Sequence, residues 1–202
     1  IHVESAMIGC AEYAKVVVSR GTTAIFADPH ECCNVVGLDG VRVMFDDAKR
    51  APLKAMLTTP SCVPAVTGFD DSGSYVDAAQ VAETMKWDDV VGLGEMMNFP
   101  GILGGEENAQ HEVGETLKAG KCVTGHYSIS ETDRGLNAYI ASGVRACHEC
   151  ITSDDVMAKL RMGMYVQARY GSAWLSLPNY LPQVLESGVD TRLIILCTDD
   201  NH

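Results

Sequence analysis

The chain has 202 residues, enough for one domain with a real core, and 47% of them are hydrophobic. Its formal net charge of −12 argues against a surface that binds nucleic acid, since such a surface needs clustered lysines and arginines. No apolar run approaches the roughly 18 residues of a transmembrane helix, so no membrane contact is predicted. Composition and charge therefore favour a soluble globular domain.

The eight cysteines are spread along the chain and do not form the framework of a small, disulfide-rich secreted domain. We interpret them as reduced, mostly buried thiols and predict a cytoplasmic location. The chain starts at Ile1-His2 and stops at Asn201-His202, directly after an apolar run. We therefore expect a fragment of a longer protein, with a single barrel domain over residues 1–202.

Apolar strand patterns alternate with helical patterns along the whole chain. Eight strands are predicted, at residues 1–5, 22–27, 53–57, 90–94, 121–125, 144–147, 164–168 and 192–197. Seven helices are predicted between them, at residues 12–19, 37–50, 77–86, 106–119, 134–142, 153–161 and 179–187, the sixth with Ser153 as its N-cap. The glycine-rich segment 101–105 is predicted to be a loop. This alternation favours a parallel α/β TIM barrel, and a doubly wound open sheet is the alternative.

Polar and charged residues follow these predicted strands. They are His2, Glu4, Asp28, His30, Glu31, Ser61, Glu95, His126, His148, Arg169 and Asp199. In a barrel the carboxyl ends of the strands meet at one face, where catalytic groups lie. The carboxylate of Glu95 ends the apolar run 90–94, and burying it unpaired would be costly, so packing does not explain it.

Five of the six histidines lie at or just past a predicted strand end, and only His111 falls inside a helical pattern. Imidazole nitrogens and carboxylate oxygens together suit Zn²⁺, Mn²⁺ or Fe²⁺. Glu95 has two oxygens and could bridge two ions, which would lower the pKa of a shared water. The sequence therefore predicts a metal site at the carboxyl ends of the strands.

Two other motifs are weaker. His2-Val3-Glu4 with Cys147-His148-Glu149-Cys150 is similar to the signature of the zinc nucleobase deaminases, but no proline precedes Cys147. The same C-x-x-C would fit a thioredoxin-like motif, although here it closes a predicted strand instead of opening a helix. The metal site explains more of the residues at the strand ends.

Several segments resemble the bacterial adenine deaminases of the amidohydrolase superfamily. They are ADPHE (27–31), TTPSCVPA (58–65), GLGEMMNFPG (92–101), LNAYIASG (136–143), RMGMYV (161–166) and CTDD (197–200). The resemblance covers essentially the whole chain, although Ile1-His2 gives only the second half of the family's H-x-H. Cys147 and Tyr170 also stand where the family usually has acids. The resemblance implies an amidohydrolase-like (β/α)8 TIM barrel, truncated at both ends and without the family's small β domain.

The resemblance also implies an activity, the metal-dependent hydrolysis of adenine to hypoxanthine and ammonia by attack of a metal-bound hydroxide on purine C6. By position, the metal ligands would be His2 for the first ion, His126 and His148 for the second, Glu95 as the bridge, and Asp199, with Asp200 as the alternative, on the first ion. The catalytic residues would be Asp199 as the base, Glu95 and His30. The substrate-binding residues would be Asp28, Glu31, Arg169 and Ser61.

The implied cofactors are two divalent ions, Mn²⁺, Fe²⁺ or Zn²⁺, and the implied partner is a small purine. We expect the full-length protein to be a homo-oligomer. Two alternatives stay open at this stage. One is another amidohydrolase that acts on a cyclic amide with the same ligands, and the other is a metal-binding barrel without catalytic activity.

Overall fold

The computed structural model describes residues 1–202. Seven parallel strands form one sheet in sequential order, β1 (Ala24–Ala27), β2 (Lys54–Thr59), β3 (Val90–Met96), β4 (Cys122–Gly125), β5 (Ala146–Cys147), β6 (Tyr165–Arg169) and β7 (Ile194–Cys197). A doubly wound sheet reverses its strand order at a switch point, whereas this sheet has no reversal. The order therefore confirms the barrel-type α/β fold and removes the open-sheet alternative.

The first predicted strand, at residues 1–5, is reduced to one parallel bridge between His2 and Asp200. The amino group of Ile1 donates to the Phe26 carbonyl at 3.0 Å, and the N–H of Asp28 donates to the Ile1 carbonyl at 3.0 Å. A 3-10 helix, Glu4–Ala6, follows at once, so the strand prediction is wrong beyond His2. Ile1 and His2 thus join the carboxyl end of β7 to that of β1 and curl the sheet.

Nine α-helices surround the sheet, and none has the length and apolar character needed to cross a membrane. They are α1 (Cys10–Val17), α2 (His30–Val36), α3 (Leu38–Ala48), α4 (Ala78–Thr84), α5 (Phe99–Gly104), α6 (Glu107–Lys118), α7 (Arg134–Ala141), α8 (Ser153–Arg161) and α9 (Leu177–Glu186). Seven of them were predicted, with ends that differ by one or two residues in most cases. Two, α2 and α5, were not predicted.

Both unpredicted helices are short and lack a clear apolar period. The α5 segment was predicted to be a glycine-rich loop, but the side chain of Asn98 accepts a hydrogen bond from the N–H of Gly101 at 2.9 Å and Pro100 lies in the first turn. The cap of α8 also differs from the prediction. The hydroxyl of Thr152, and not that of Ser153, accepts the Asp155 N–H at 3.2 Å.

The core lies between the outer face of the sheet and the helices. Thirty buried residues form its main cluster, to which the strands contribute Ile25, Leu57, Leu93 and Val123. A second cluster of seven buried residues packs β6 against α8 and α9. With apolar side chains directed outward, alternation turns polar ones such as Thr58, Thr124 and Gln167 toward the barrel interior, where they line a small cavity. Polar side chains therefore line part of the barrel interior and its carboxyl face.

The helix layer also buries a carboxyl group, that of Glu112. It lies on α6, where it is 2% exposed, and its Oε1 accepts a hydrogen bond from Asn108 Nδ2 at 2.8 Å. Burial raises the pKa of Glu112 from 4.5 to about 8, although the hydrogen bond from Asn108 acts in the opposite direction. The folded protein therefore holds a proton on Glu112 at neutral pH that the unfolded chain has released.

A group whose pKa is raised in this way destabilises the fold as pH rises from its unfolded value toward its folded value. We expect Glu112→Gln, which is neutral at all pH values, to remove this pH-dependent loss of folding stability. The variant should gain stability over the wild type between about pH 5 and about pH 8, on the order of 1 kcal/mol per pH unit. Thermal or urea denaturation across this range measures the gain. Glu107→Gln, an exposed change on the same helix, is the control, and parallel curves for wild type and Glu112→Gln would show that Glu112 is ionised in the fold.

Candidate metal centre and active site

The carboxylate of Glu95 lies at the centre of a cluster of imidazoles. Glu95 is the sixth residue of β3, inside the strand and not just beyond its end as predicted, and it is 4% exposed. Its Oε1 lies 3.2 Å from His2 Nε2 and 3.3 Å from His30 Nε2. Its Oε2 lies 2.6 Å from His126 Nδ1 and 2.9 Å from His148 Nε2. Four histidines from four segments of the chain therefore meet at one side chain.

The elements that carry these residues end at the same face. His126 follows β4 and His148 follows β5, while His30 opens α2 and His2 forms the bridge to Asp200. The fifth histidine counted at a strand end, His202, is exposed, and its Nδ1 contacts the Ser5 carbonyl at 2.8 Å. His202 is therefore outside the cluster, and four of the five histidines at the predicted strand ends converge.

The main chain around Glu95 is fixed by two buried side chains that the sequence placed among the substrate-binding residues. The Ser61 hydroxyl donates to the Glu95 carbonyl at 2.7 Å, and the Glu95 N–H donates to Asp28 Oδ2 at 3.1 Å. Asp28 comes so close to the strand that a Cβ at Gly94 would lie 2.3 Å from its Oδ2. These contacts orient Glu95, and neither residue lines the cavity in front of the imidazoles.

Asp199 completes the cluster from the segment after β7. Its Oδ1 lies 3.1 Å from His2 Nε2, and its Oδ2 accepts from Arg169 Nη1 at 2.7 Å. Its backbone is left-handed, with φ of 59°, a conformation that costs energy for a residue other than glycine and recurs at functional sites. The neighbouring Asp200 also lines the cavity, but its main chain forms the bridge to His2.

The carboxylates of this cluster are held in their ionised form. Burial alone would raise the pKa of Glu95, but the charge of His148 and the hydrogen bonds from the imidazoles hold it well below its ordinary value. For Asp199 burial acts in the same way, and hydrogen bonds from His2 and Arg169 with the charge of His148 lower its pKa. Both side chains are therefore anionic ligands at neutral pH.

The pKa values of His2 and His30 shift in the opposite direction. Burial alone would lower the pKa of His2, but hydrogen bonds to Asp199 and Glu95 outweigh it and raise the pKa to about 11. The pKa of His30 rises to about 9 against the same effect of burial, through its contact with Glu95 and the charge of Asp28. The buried anions thus attract positive charge, and a divalent cation can replace the protons on the ligand nitrogens.

The donor set fits divalent metal ions. The ligand atoms of Glu95, His126 and His148 lie within 4.8 Å of one another, and so do those of His2, Asp199 and Asp200. Imidazole nitrogens and carboxylate oxygens at this spacing are the ligands of Zn²⁺, Mn²⁺ and Fe²⁺ sites.

A cavity of about 220 Å³ opens in front of this cluster. Its wall includes the four histidines and, from the other predicted residues, Glu31, Arg169, Glu95 and Asp199. The guanidinium of Arg169 is 2% exposed and bonds to Asp199 and Glu149, so it faces the carboxylates of the site. The structure therefore brings most of the predicted residues to one cavity, while Asp28 and Ser61 lie behind it.

Three further residues of the cavity were not predicted, namely Met97, Glu149 and Trp174. The carboxylate of Glu149 lies 4.0 Å from His126 Nε2 and 3.8 Å from His148 Nε2. Glu149 directly follows His148, so its place after a predicted strand was a signal in the sequence for a second residue at that strand end. Trp174 belongs to the irregular segment between β6 and α9, where no pattern in the sequence indicates that a side chain returns to the site.

The side chain of Tyr139, on α7, bonds to the two segments that carry Glu95 and His126. It is fully buried, and its hydroxyl donates to the Met96 carbonyl at 2.6 Å and accepts from the His126 N–H at 3.1 Å. Met96 follows Glu95, so one hydroxyl links the main chain beside one ligand to the main chain of another. The distance between Glu95 and His126 therefore depends on a side chain outside the cavity.

Replacing Glu95 tests the metal site. We expect Glu95→Gln to weaken the binding of both ions at least roughly 100-fold, because it removes the charge that all four imidazoles share. Calorimetric titration with Mn²⁺ and elemental analysis after dialysis measure the loss. Glu83→Gln, an exposed change on α4, is the control. Two ions bound to a folded Glu95→Gln variant with unchanged affinity would exclude Glu95 as a ligand.

Comparison with known proteins agrees with this geometry. The model of the amidohydrolase family matches residues 1–200. An adenine deaminase from Clostridium botulinum (strain ATCC 19397 / Type A) is 58% identical over 100% of this chain and 34% of its own length. Adenine deaminases from Moorella thermoacetica (45% identical, 34% of its length) and Mesorhizobium japonicum (42%, 33% of its length) also match over 100% of this chain. The chain spans about a third of the length of these relatives. It belongs to the amidohydrolase family.

Proposed function

We propose that this chain carries the active site of a metal-dependent hydrolase that converts adenine to hypoxanthine and ammonia. The observation that carries the proposal is the meeting of four imidazoles at the two oxygens of Glu95. The substrate follows from the relatives, which are named adenine deaminase and are 42% to 58% identical to this chain. A site of this kind without those relatives would indicate only metal-assisted hydrolysis.

The two oxygens of Glu95 face different imidazoles, which supports a site for two ions. We assign His2 and Asp199, with Oε1 of Glu95, to the first ion. His126 and His148, with Oε2, are assigned to the second. When bound, the ions supply Lewis acidity and make water nucleophilic at neutral pH. Mn²⁺, Fe²⁺ and Zn²⁺ all suit these ligands.

Asp199 is the proposed proton-transfer residue. Because the contacts from His2 and Arg169 keep its pKa low, it is ionised and can accept a proton from the attacking water. It then passes that proton to the departing amine of the purine. Arg169 donates to Asp199 at 2.7 Å and so holds the carboxylate in place.

The cavity in front of the ligands is the proposed purine site. Met97 and Trp174 give it apolar surface, which suits a flat aromatic ring, and polar groups surround them. His30 and Glu31 line the same cavity, and we propose that they orient the base or carry protons during the reaction. Asp28 and Ser61 contact the main chain of Glu95, which supports a positioning role for both.

A cytoplasmic location and a homo-oligomeric state remain predictions. Each is a property of the whole protein, and this chain spans about a third of the length of its relatives.

Ammonia release from adenine tests the proposed function. We expect the metal-stripped protein to be inactive and to recover activity when it is reloaded with Mn²⁺, Fe²⁺ or Zn²⁺. Asp199→Asn should lower kcat by roughly 10²- to 10⁴-fold, the usual contribution of general acid–base catalysis. Asp190→Asn, an exposed change, is the control.

The negative outcomes separate the alternatives. A folded, metal-loaded protein that releases no ammonia from adenine would overturn the adenine assignment. Hydrolysis of a cyclic amide by that protein would identify a different amidohydrolase. A protein that binds metal and hydrolyses neither class of substrate would be a barrel without catalytic activity.

A further inference from the structure

Lys159 is a cation buried completely beneath the metal centre. It lies on α8 and is 0% exposed. Its Nζ donates to Asp155 Oδ1 at 2.6 Å, to the Glu149 carbonyl at 3.0 Å and to the Tyr127 carbonyl at 3.4 Å. A lysine ammonium has three donors, so these contacts use all of them. Lys159 is therefore fully bonded, and its two main-chain partners lie in different segments.

Those two segments carry the proposed ligands of the second ion. Tyr127 follows His126, and Glu149 follows His148. The ladder between β4 and β5 has only two pairs, Thr124 with Ala146 and Gly125 with Cys147. It ends one residue before each histidine, so main-chain pairing of the sheet does not extend to the ligands.

Beyond that point, side chains make the cross-connections. Tyr127 donates its N–H to Cys147 Sγ at 3.3 Å, a weak bond to a thiol. The ammonium of Lys159 makes stronger, charge-assisted bonds to both segments. It therefore does for His126 and His148 what the Tyr139 hydroxyl does for Glu95 and His126.

Packing of α8 does not account for a lysine here. Burying an ammonium carries a large desolvation cost, and an apolar side chain of similar volume would often be as stable or more stable. The neighbouring α8 residues Val156 and Leu160 pack in the apolar cluster without such a cost. The presence of a charge at this position calls for a role that an apolar side chain cannot perform.

We propose that Lys159 is a positioning residue that sets the spacing of His126 and His148, and thereby the affinity of the site for the ion that these two imidazoles hold. The inference rests on the proposed two-ion site. In the structure His126 Nδ1 and His148 Nε2 are 3.2 Å apart and share Glu95 Oε2. Without the bridge, the two segments can separate, and the second ion loses its preformed pair of ligands.

The test compares two variants by calorimetric titration of the metal-free protein with Mn²⁺. Lys159→Met keeps the length of the side chain and removes its donors. The double variant Asp155→Asn/Lys159→Met also removes the partner charge, so that no unpaired buried charge can unfold the helix. Lys118→Met is the control, since Lys118 pairs with Glu115 at 2.5 Å on the surface of α6.

We expect the double variant to bind the second ion roughly 10- to 100-fold more weakly, as for other residues that orient metal ligands. Binding of the first ion, through His2 and Asp199, should be unchanged, and Lys118→Met should bind both ions like the wild type. A purely structural role would weaken both ions together or lower the Tm of the metal-free protein without altering the difference between them.

The outcomes separate this inference from the proposed function. Two ions bound to the folded double variant with wild-type affinity would overturn the role of Lys159 and leave the two-ion site intact. Equal weakening of both ions would also overturn it. A wild-type protein that binds fewer than two ions would instead overturn the two-ion site on which the inference rests.

Discussion

The site depends on one interaction, the sharing of the Glu95 carboxylate by imidazoles from four segments of the chain. A buried carboxylate is costly unless positive charge compensates it. Here the compensation comes from histidines whose own pKa values rise in response, as at His2 and His30. His2 and His30 thus hold protons beside the anions of the metal-free cluster, and metal ions can take the place of protons on ligand nitrogens. Metal affinity and proton release at this site are therefore coupled.

Buried side chains outside the cavity fix the main chain around that cluster. The ladder between β4 and β5 ends one residue before His126 and His148, since β5 contributes only two residues to its ladders. Buried polar side chains continue the connection, with the Ser61 hydroxyl on the Glu95 carbonyl, the Tyr139 hydroxyl between Met96 and His126, and the Lys159 ammonium between the segments that follow His126 and His148. These residues come from a loop and from two helices between strands. The helices of this barrel therefore do more than cover the sheet, because two of them also bond to the main chain beside Glu95, His126 and His148.

The sequence predicted the strands well where apolar runs are long and poorly where they are short. The apolar run before Glu95 fixed β3, although pairing with β4 extends that strand to Met96 and places Glu95 inside it. The first strand prediction was wrong beyond His2, because the chain turns into the 3-10 helix Glu4–Ala6. Only the bridge between His2 and Asp200 forms there. The helix that His30 opens has no apolar period, so only its packing against α3 reveals it. Trp174 was missed for the same reason, since nothing local marks a side chain that reaches the site through tertiary contacts.

By itself the sequence determined the class of fold and predicted which residues gather around Glu95. Alternating apolar runs and helical patterns require a parallel sheet, and polar residues after buried strands must gather at its carboxyl edge. Distances across the barrel decide which oxygen of Glu95 faces which imidazole, so only the tertiary structure shows it. The tertiary structure was equally needed to show the contacts of Asp28, Ser61 and Lys159. Their partners are main-chain groups far away in the sequence, and such contacts leave no period or motif along the chain.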